Sequence, residues 1–219
     1  MQQYIEKYEL SSVLNETLLN HILLSTYKKG EFIVREGEVP NFLYFLVEGR
    51  VKFYATSEEG KTLILGFRNP FAVFGDIEFM HKLPYTNTLE AVTDVVVLKL
   101  PLTIVHQEGM QYLPFTTFML EILTRKFYVN NKTVSLNFLY GVDVRVASYL
   151  LSMTVSEESV AVSHLKEAAE FMGTTYRHVN RILKKLIEES IIERSNKIIR
   201  VIDRERLNEK AKNNVYEER

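Results

Sequence analysis

A single glycine, Gly173, stands between two amphipathic segments within residues 162–186, and that junction constrains the fold more than any other feature of the chain. Before it, Val162, Leu165, Ala168, Ala169 and Met172 form one apolar stripe, with small residues where two helices can cross closely. After it, Val179, Ile182, Leu183 and Leu186 recur at i, i+3, i+4 and i+7, the spacing of one buried helix face. Thr174 and Thr175 can each cap the free N–H groups at the start of the second helix. Gly173 falls where a tight turn calls for positive φ. The opposite face of the second helix carries Tyr176, Arg177, Asn180, Arg181 and Lys184. Such a face suits the DNA major groove, where arginine reads guanine, asparagine reads adenine and lysine meets phosphate.

Solvated basic faces are common on helices with no DNA role, so the segment after the helix matters. Ile191-Ile192-Glu193-Arg194 and Lys197-Ile198-Ile199-Arg200-Val201 are β-branched runs around the turn-prone pair Ser195-Asn196. A hairpin there is the wing of a winged helix, and Arg194, Lys197 and Arg200 would put positive charge near the flanking phosphates. The expected DNA-contacting set is Thr175, Tyr176, Arg177, His178, Asn180, Arg181, Lys184 and Lys197.

The net charge is near −1 over 219 residues, which fits a basic surface confined to one patch rather than a nonspecific nucleic-acid coat. Cysteine is absent, which excludes disulfides, thiol switches and cysteine-ligated zinc or iron–sulfur centres. No apolar run approaches a membrane span, and Met1-Gln2-Gln3-Tyr4-Ile5-Glu6-Lys7 does not read as a secretory signal. The expectation is a soluble, cytoplasmic protein with no membrane partner.

Upstream of residue 110 the texture changes. Gly30, Gly37, Gly49 and Gly60 punctuate short runs at 31–35, 42–47, 51–56 and 62–67, and two more lie at 88–93 and 95–100. Short strands at this spacing predict an all-β sandwich or roll, with Glu59-Gly60-Lys61 as a hairpin turn. Between the two regions, residues 111–139 read as one helix of roughly 40 Å. Phe115, Met119, Ile122, Val129, Thr133, Leu136 and Tyr140 follow a coiled-coil-like 3-4 spacing, interrupted at Lys126. Leu120, Leu123, Phe127 and Val134 form a second, adjacent stripe. A helix apolar on two sides contacts two things, here its own roll and a partner's identical helix. The expected organisation is α+β: a sensory β-roll over 1–110, a dimerisation helix over 111–139, and a winged helix-turn-helix over 140–219.

This order, together with Lys29-Gly30-Glu31, Glu36-Gly37-Glu38, Leu43-Tyr44-Phe45-Leu46-Val47-Glu48-Gly49, Phe74-Gly75-Asp76, Gly173 and Val179-Asn180-Arg181-Ile182-Leu183, resembles the Crp/Fnr family of bacterial transcription regulators. The Thr175-Tyr176-Arg177-His178 opening is similar to the YeiL subgroup of that family. The resemblance implies a double-stranded β-roll like a cyclic-nucleotide-binding domain, a homodimer on palindromic double-stranded DNA, and contact with RNA polymerase as an activator. The residues themselves leave activation and repression both open. It also implies that Tyr176, Arg177 and Arg181 face base edges. Arg177 stands where relatives carry glutamate, which changes the expected base from cytosine toward guanine.

For an effector, the resemblance points to Phe74, Gly75, Asp76, Tyr85, Thr86, Asn130 and Asn131. Cyclic-nucleotide-binding members hold the phosphate with an Arg-Ser pair, and Tyr85-Thr86 stands in its place. Without the bidentate guanidinium, cyclic AMP is not the expected ligand, although a cyclic-AMP-dependent regulator is the leading alternative. The pocket is expected to hold a different small molecule, or none. Asn130 and Asn131 could equally face solvent or fix dimer register. His21, His81, His106, His164 and His178 form no spaced ligand pair, so no metal is expected, and haem on one of them stays open. A cupin-like metal enzyme is the remote alternative. It would have only His81 near Asp76 and Glu78 to work with, and no Gly-rich phosphate loop or nucleophile elbow appears.

Overall fold

The run Phe42-Leu43-Tyr44-Phe45-Leu46-Val47 is apolar at almost every position because its strand is covered on both faces. A computed structural model describes residues 1–60, 62–154, 159–214 and 216. The chain divides into two compact units, Met1–Arg125 and Lys126–Arg219, and the division falls within the long helix.

The first unit opens with two short helices, α1 (Gln2–Lys7) and α2 (Glu16–Asn20). Strands β1 (Leu23–Tyr27), β2 (Phe32–Val34), β3 (Phe42–Glu48), β4 (Val51–Thr56), β5 (Thr62–Arg68) and β6 (Ala72–Phe74) come next. A short helix α3 (Asp76–His81) leads to β7 (Thr88–Ala91), β8 (Val95–Pro101) and α4 (Leu102–Gln107). The strands pair antiparallel in two four-stranded sheets, ordered β1-β8-β3-β6 and β2-β7-β4-β5. This is the expected roll. β4 and β5 form the expected hairpin, with Thr56 opposite Thr62 and Gly60 N–H donating to the Ser57 carbonyl at 2.8 Å. Lys61 of the expected turn lies outside the described residues.

Leu43, Phe45 and Val47 point away from the roll, toward Leu10, Leu14 and Leu18 of the N-terminal segment and Phe115 and Met119 of the long helix. Tyr44 and Leu46 point inward, to meet Ile33, Val34, Val51, Leu89 and Ala91 of the other sheet. One strand thus serves two cores, which is why its sequence does not alternate.

The long helix α5 runs Leu113–Leu139, close to the expected limits. Its two stripes have different surroundings. Phe115, Met119 and Leu136 of the first stripe are buried within the chain, and Ile122 packs on the same core as Phe115. Of the second stripe, Leu120, Phe127 and Val134 are exposed and Leu123 is half-buried; Leu113, seven residues before Leu120, is exposed as well. The 3-4 seam is therefore the more covered side of the helix, and the exposed residues repeat at the same seven-residue spacing.

In the second unit, α6 (Val142–Met153) leads to β9 (Ser159–Ala161), α7 (Leu165–Phe171), α8 (Tyr176–Glu188), β10 (Ile192–Arg194), β11 (Ile198–Val201) and α9 (Arg204–Lys210). Leu150 and Leu151 of α6, Leu165 and Ala168 of α7, Leu183 of α8 and Ile199 of β11 are all fully buried. Tyr216 is buried too. Its ring lies 4.7 Å from Phe171 and its hydroxyl donates to Asn137 Oδ1 at 2.8 Å. No helix among the described residues is long and apolar enough to cross a membrane.

Candidate nucleic-acid interface

Helix α7 ends in a Schellman motif built on Gly173. Gly173 N–H donates to Glu170 O at 3.0 Å, and Thr174 N–H reaches back to Ala169 O at 2.9 Å. Gly173 has φ +60° with open space around its α-carbon, so backbone conformation rather than crowding requires glycine there. Arg145 of α6 secures the same corner, donating to the Met172 carbonyl at 2.6 Å.

Of the two candidate caps for α8, Thr175 takes the role. Its hydroxyl accepts from His178 N–H at 3.2 Å. Thr174 instead lies with its hydroxyl 3.3 Å from His178 Nδ1. Val179, Ile182, Leu183 and Leu186 are buried, as the periodicity predicts. Helix α8 closes with a second Schellman motif, Ile191 N–H to Leu186 O at 2.9 Å, but here Ser190 occupies the left-handed position at φ +58°.

The wing is an antiparallel hairpin with Arg194 opposite Ile199, and Ser195 N–H donates to Ile198 O at 2.9 Å across the turn. Strand β9 adds a third strand on the far side of β11, which the sequence does not announce.

The outward face of α8 separates into free and engaged groups. Arg177 and Arg181 are exposed and make no hydrogen bond or ion pair among the described residues. Lys184 is exposed, with Glu188 one turn on at 3.8 Å, a loose pair of small energetic weight. Lys197 is exposed at the wing turn. Arg200 is held by Glu193 on the facing strand at 3.1 Å.

Asn180 differs from the expectation of a free, adenine-reading amide. Its Nδ2 donates to the Tyr176 carbonyl at 2.9 Å, and its Oδ1 accepts from Arg194 at 2.6 Å. The Asn180 amide, and then the Arg194 guanidinium, hold the Tyr176 phenol below the usual tyrosine range. Tyr176 itself is 43% exposed, so the cluster lies at the surface. This link joins residues fourteen apart through the fold of the wing, and no local pattern signals it.

The residues proposed for an effector are distributed over both compact units. Gly75 has φ +85°, and a Cβ there would come within 2.7 Å of the Phe42 carbonyl oxygen, so glycine is needed for both space and conformation. Asp76 is buried in the first turn of α3, and Phe74 packs against the roll interior. Tyr85 is buried in that interior, beside Tyr44. The Tyr85 hydroxyl donates to the Phe42 carbonyl at 3.5 Å, and burial pushes Tyr44 up to about 12 and raises Tyr85 further. Thr86, by contrast, is exposed. Asn130 and Asn131 are exposed on α5 in the other compact unit. No cluster of three or more metal-ligating side chains occurs among the described residues.

Comparison with known proteins agrees with this architecture. A cyclic nucleotide-binding domain model matches residues 24–112, and a Crp-like helix-turn-helix domain model matches residues 144–210. The regulatory protein YeiL of Escherichia coli O157:H7 is 28% identical over 90% of this chain and 87% of its own length. Among solved structures, a crp/fnr-family transcriptional regulator from Eubacterium rectale superposes with TM-score 0.78 at 20% identity, covering 96% of this chain and 99% of that one. FixK2 from Bradyrhizobium japonicum superposes with TM-score 0.76 at 22% identity, covering 86% and 96%.

Proposed function

We propose that the chain is a transcription regulator of the Crp/Fnr family, whose helix-turn-helix domain reads palindromic DNA as a homodimer and needs no cyclic nucleotide to do so. Its relatives are regulators rather than enzymes.

The observation that carries the reading is the outward face of α8. Arg177 and Arg181 are exposed and uncommitted on a helix whose other face is fully buried. Leaving two guanidiniums unpaired on a rigid, capped helix keeps their donors available for guanine edges and phosphates. Thr175 and His178 set the start of the helix, while Lys184 and Lys197 supply phosphate contacts at its far end and at the wing.

Dimerisation uses the uncovered stripe of α5. Leu113, Leu120, Phe127 and Val134 give one heptad position, and Thr117, Thr124, Asn131 and Phe138 the next. Asn131 at such a position fixes register and favours two strands. A two-fold pair of α8 helices then reads half-sites one helical turn apart.

Two tyrosines argue against a cyclic nucleotide. Tyr85 stands where relatives place the phosphate-binding arginine, and it is buried in the interior together with Tyr44. Selection from random duplexes at physiological salt, using purified ligand-free protein, tests the reading. The expected result is a palindrome with half-sites about 34–36 Å apart. Enrichment of no sequence, or enrichment only after cyclic AMP is added, would overturn it.

A further inference from the structure

The three wing cations take three different positions. Lys197 is exposed at the turn, Arg200 pairs with Glu193 on the facing strand, and Arg194 turns back onto the recognition helix. Only Arg194 is held by a residue of α8, through Asn180 Oδ1 at 2.6 Å. Asn180 is itself fixed, because its Nδ2 donates to the carbonyl of Tyr176 one turn earlier. The guanidinium is therefore oriented by a planar amide that cannot rotate without breaking a second hydrogen bond. Arginine carries five N–H donors in a rigid fork, and the Asn180 contact leaves others for a partner.

Held this way, Arg194 lies beside the first turn of α8, next to Tyr176. A residue placed only to meet a phosphate needs charge and reach, not an anchor on the recognition helix. A guanidinium anchored beside the helix start, with N–H donors left over, is suited to bidentate recognition of a base edge.

Resting on the DNA-binding reading above, we propose that readout in this chain is shared between helix and wing: Arg194 is a specificity-determining residue that reads a base edge beside Tyr176, and Asn180 is the positioning residue that anchors it.

The test compares wild-type protein with Arg194→Lys, Arg194→Ala, Asn180→Ala and the double variant Arg194→Lys with Asn180→Ala in the same selection from random duplexes, with salt dependence measured on the enriched site. Arg194→Lys keeps the charge and loses the fork. Asn180→Ala keeps the fork and loses the anchor. The expected result is that Arg194→Lys and Asn180→Ala both change base preference at the same position in each half-site. Affinity for the wild-type site should fall roughly 5- to 100-fold, the range for losing one bidentate base contact. The salt slope should stay within about one unit of wild type, because no phosphate contact is removed. The double variant should lose no more selectivity than Arg194→Lys alone, since Asn180 acts through Arg194.

A wild-type motif that survives unchanged in Arg194→Lys and Asn180→Ala overturns the proposal and leaves the DNA reading intact. Even weakening on all sequences, with a salt slope lower by about one in Arg194→Ala, makes Arg194 a phosphate contact and also overturns it. Failure of the wild-type protein to enrich any motif overturns this proposal together with the reading it rests on.

Discussion

The interior of the β-roll and the outward face of α8 are both rich in polar and aromatic side chains, yet they are in opposite states. In the roll, Tyr44 and Tyr85 are buried, with the Tyr85 hydroxyl donating to the Phe42 carbonyl, and Asp76 is buried at the start of α3. On α8, Arg177 and Arg181 stand exposed with no partner among the described residues. Groups that satisfy one another within the fold stabilise it; groups left open are available to a partner from outside.

Placing a cation in the roll is the most severe way to break that comparison. Tyr85→Arg supplies the guanidinium that the resemblance expects, but at a buried position of the roll interior. It should destabilise the protein by about 3–5 kcal/mol, the scale of a buried uncompensated charge, as read by chemical denaturation. A variant that instead folds normally and gains calorimetric cyclic AMP binding would show that the interior is open.

On the other side, Arg181→Ala should cost about 1–3 kcal/mol of specific DNA binding and relax selectivity at one base pair, with folding stability nearly unchanged. Equal loss on every sequence would mark Arg181 as a phosphate contact. Thr175→Ala removes the hydroxyl that accepts from His178 N–H and should lower stability by about 1 kcal/mol in thermal melts. Because His178 and Tyr176 lie in the turn it caps, specific binding should weaken with it.

Alkaline titration sharpens the comparison without any substitution. Asn180 and Arg194 lower Tyr176, so its phenolate should appear first in the ultraviolet difference spectrum, and Tyr176→Phe should remove that first step. Burial raises Tyr44 and Tyr85, so the folded protein keeps protons that the unfolded chain releases near pH 10. Their contribution to stability is complete below about pH 10 and is lost as pH rises through about 12. Tyr44 and Tyr85 should ionise only as the roll unfolds. The smallest effect expected is a gain: Ser190→Gly relieves a left-handed serine at the end of α8 and should stabilise by roughly 0.5–1 kcal/mol.

How much of the molecule is legible in its sequence depends on what periodicity can report. The helix-turn-helix and its wing are readable because four buried positions on α8 and two β-branched runs each repeat several times. The strands 51–56 and 62–67 are readable because glycine and turn residues bracket them. The N-terminal helices α1 and α2, six and five residues long, complete too few turns to show a face. β6 has three residues, and β1 is largely exposed, so neither gives a pattern. Val142-Asp143-Val144-Arg145-Val146 alternates like a strand, but α6 is buried on most sides and tertiary packing decides. At the interface, exposure of Arg177 and Arg181 comes directly from helix geometry. The Asn180–Arg194 contact does not, because it depends on the hairpin folding back across fourteen residues. The two stripes of α5 are both visible, and only the folded chain distinguishes the covered one from the open one.

The open heptad of Leu113, Leu120, Phe127 and Val134 carries a consequence for dosage. If two copies must join before a site is occupied, then while single copies predominate, doubling the supply of protein quadruples the paired form. A regulator built this way responds to how fast it is made and destroyed. Gene expression upstream becomes its input.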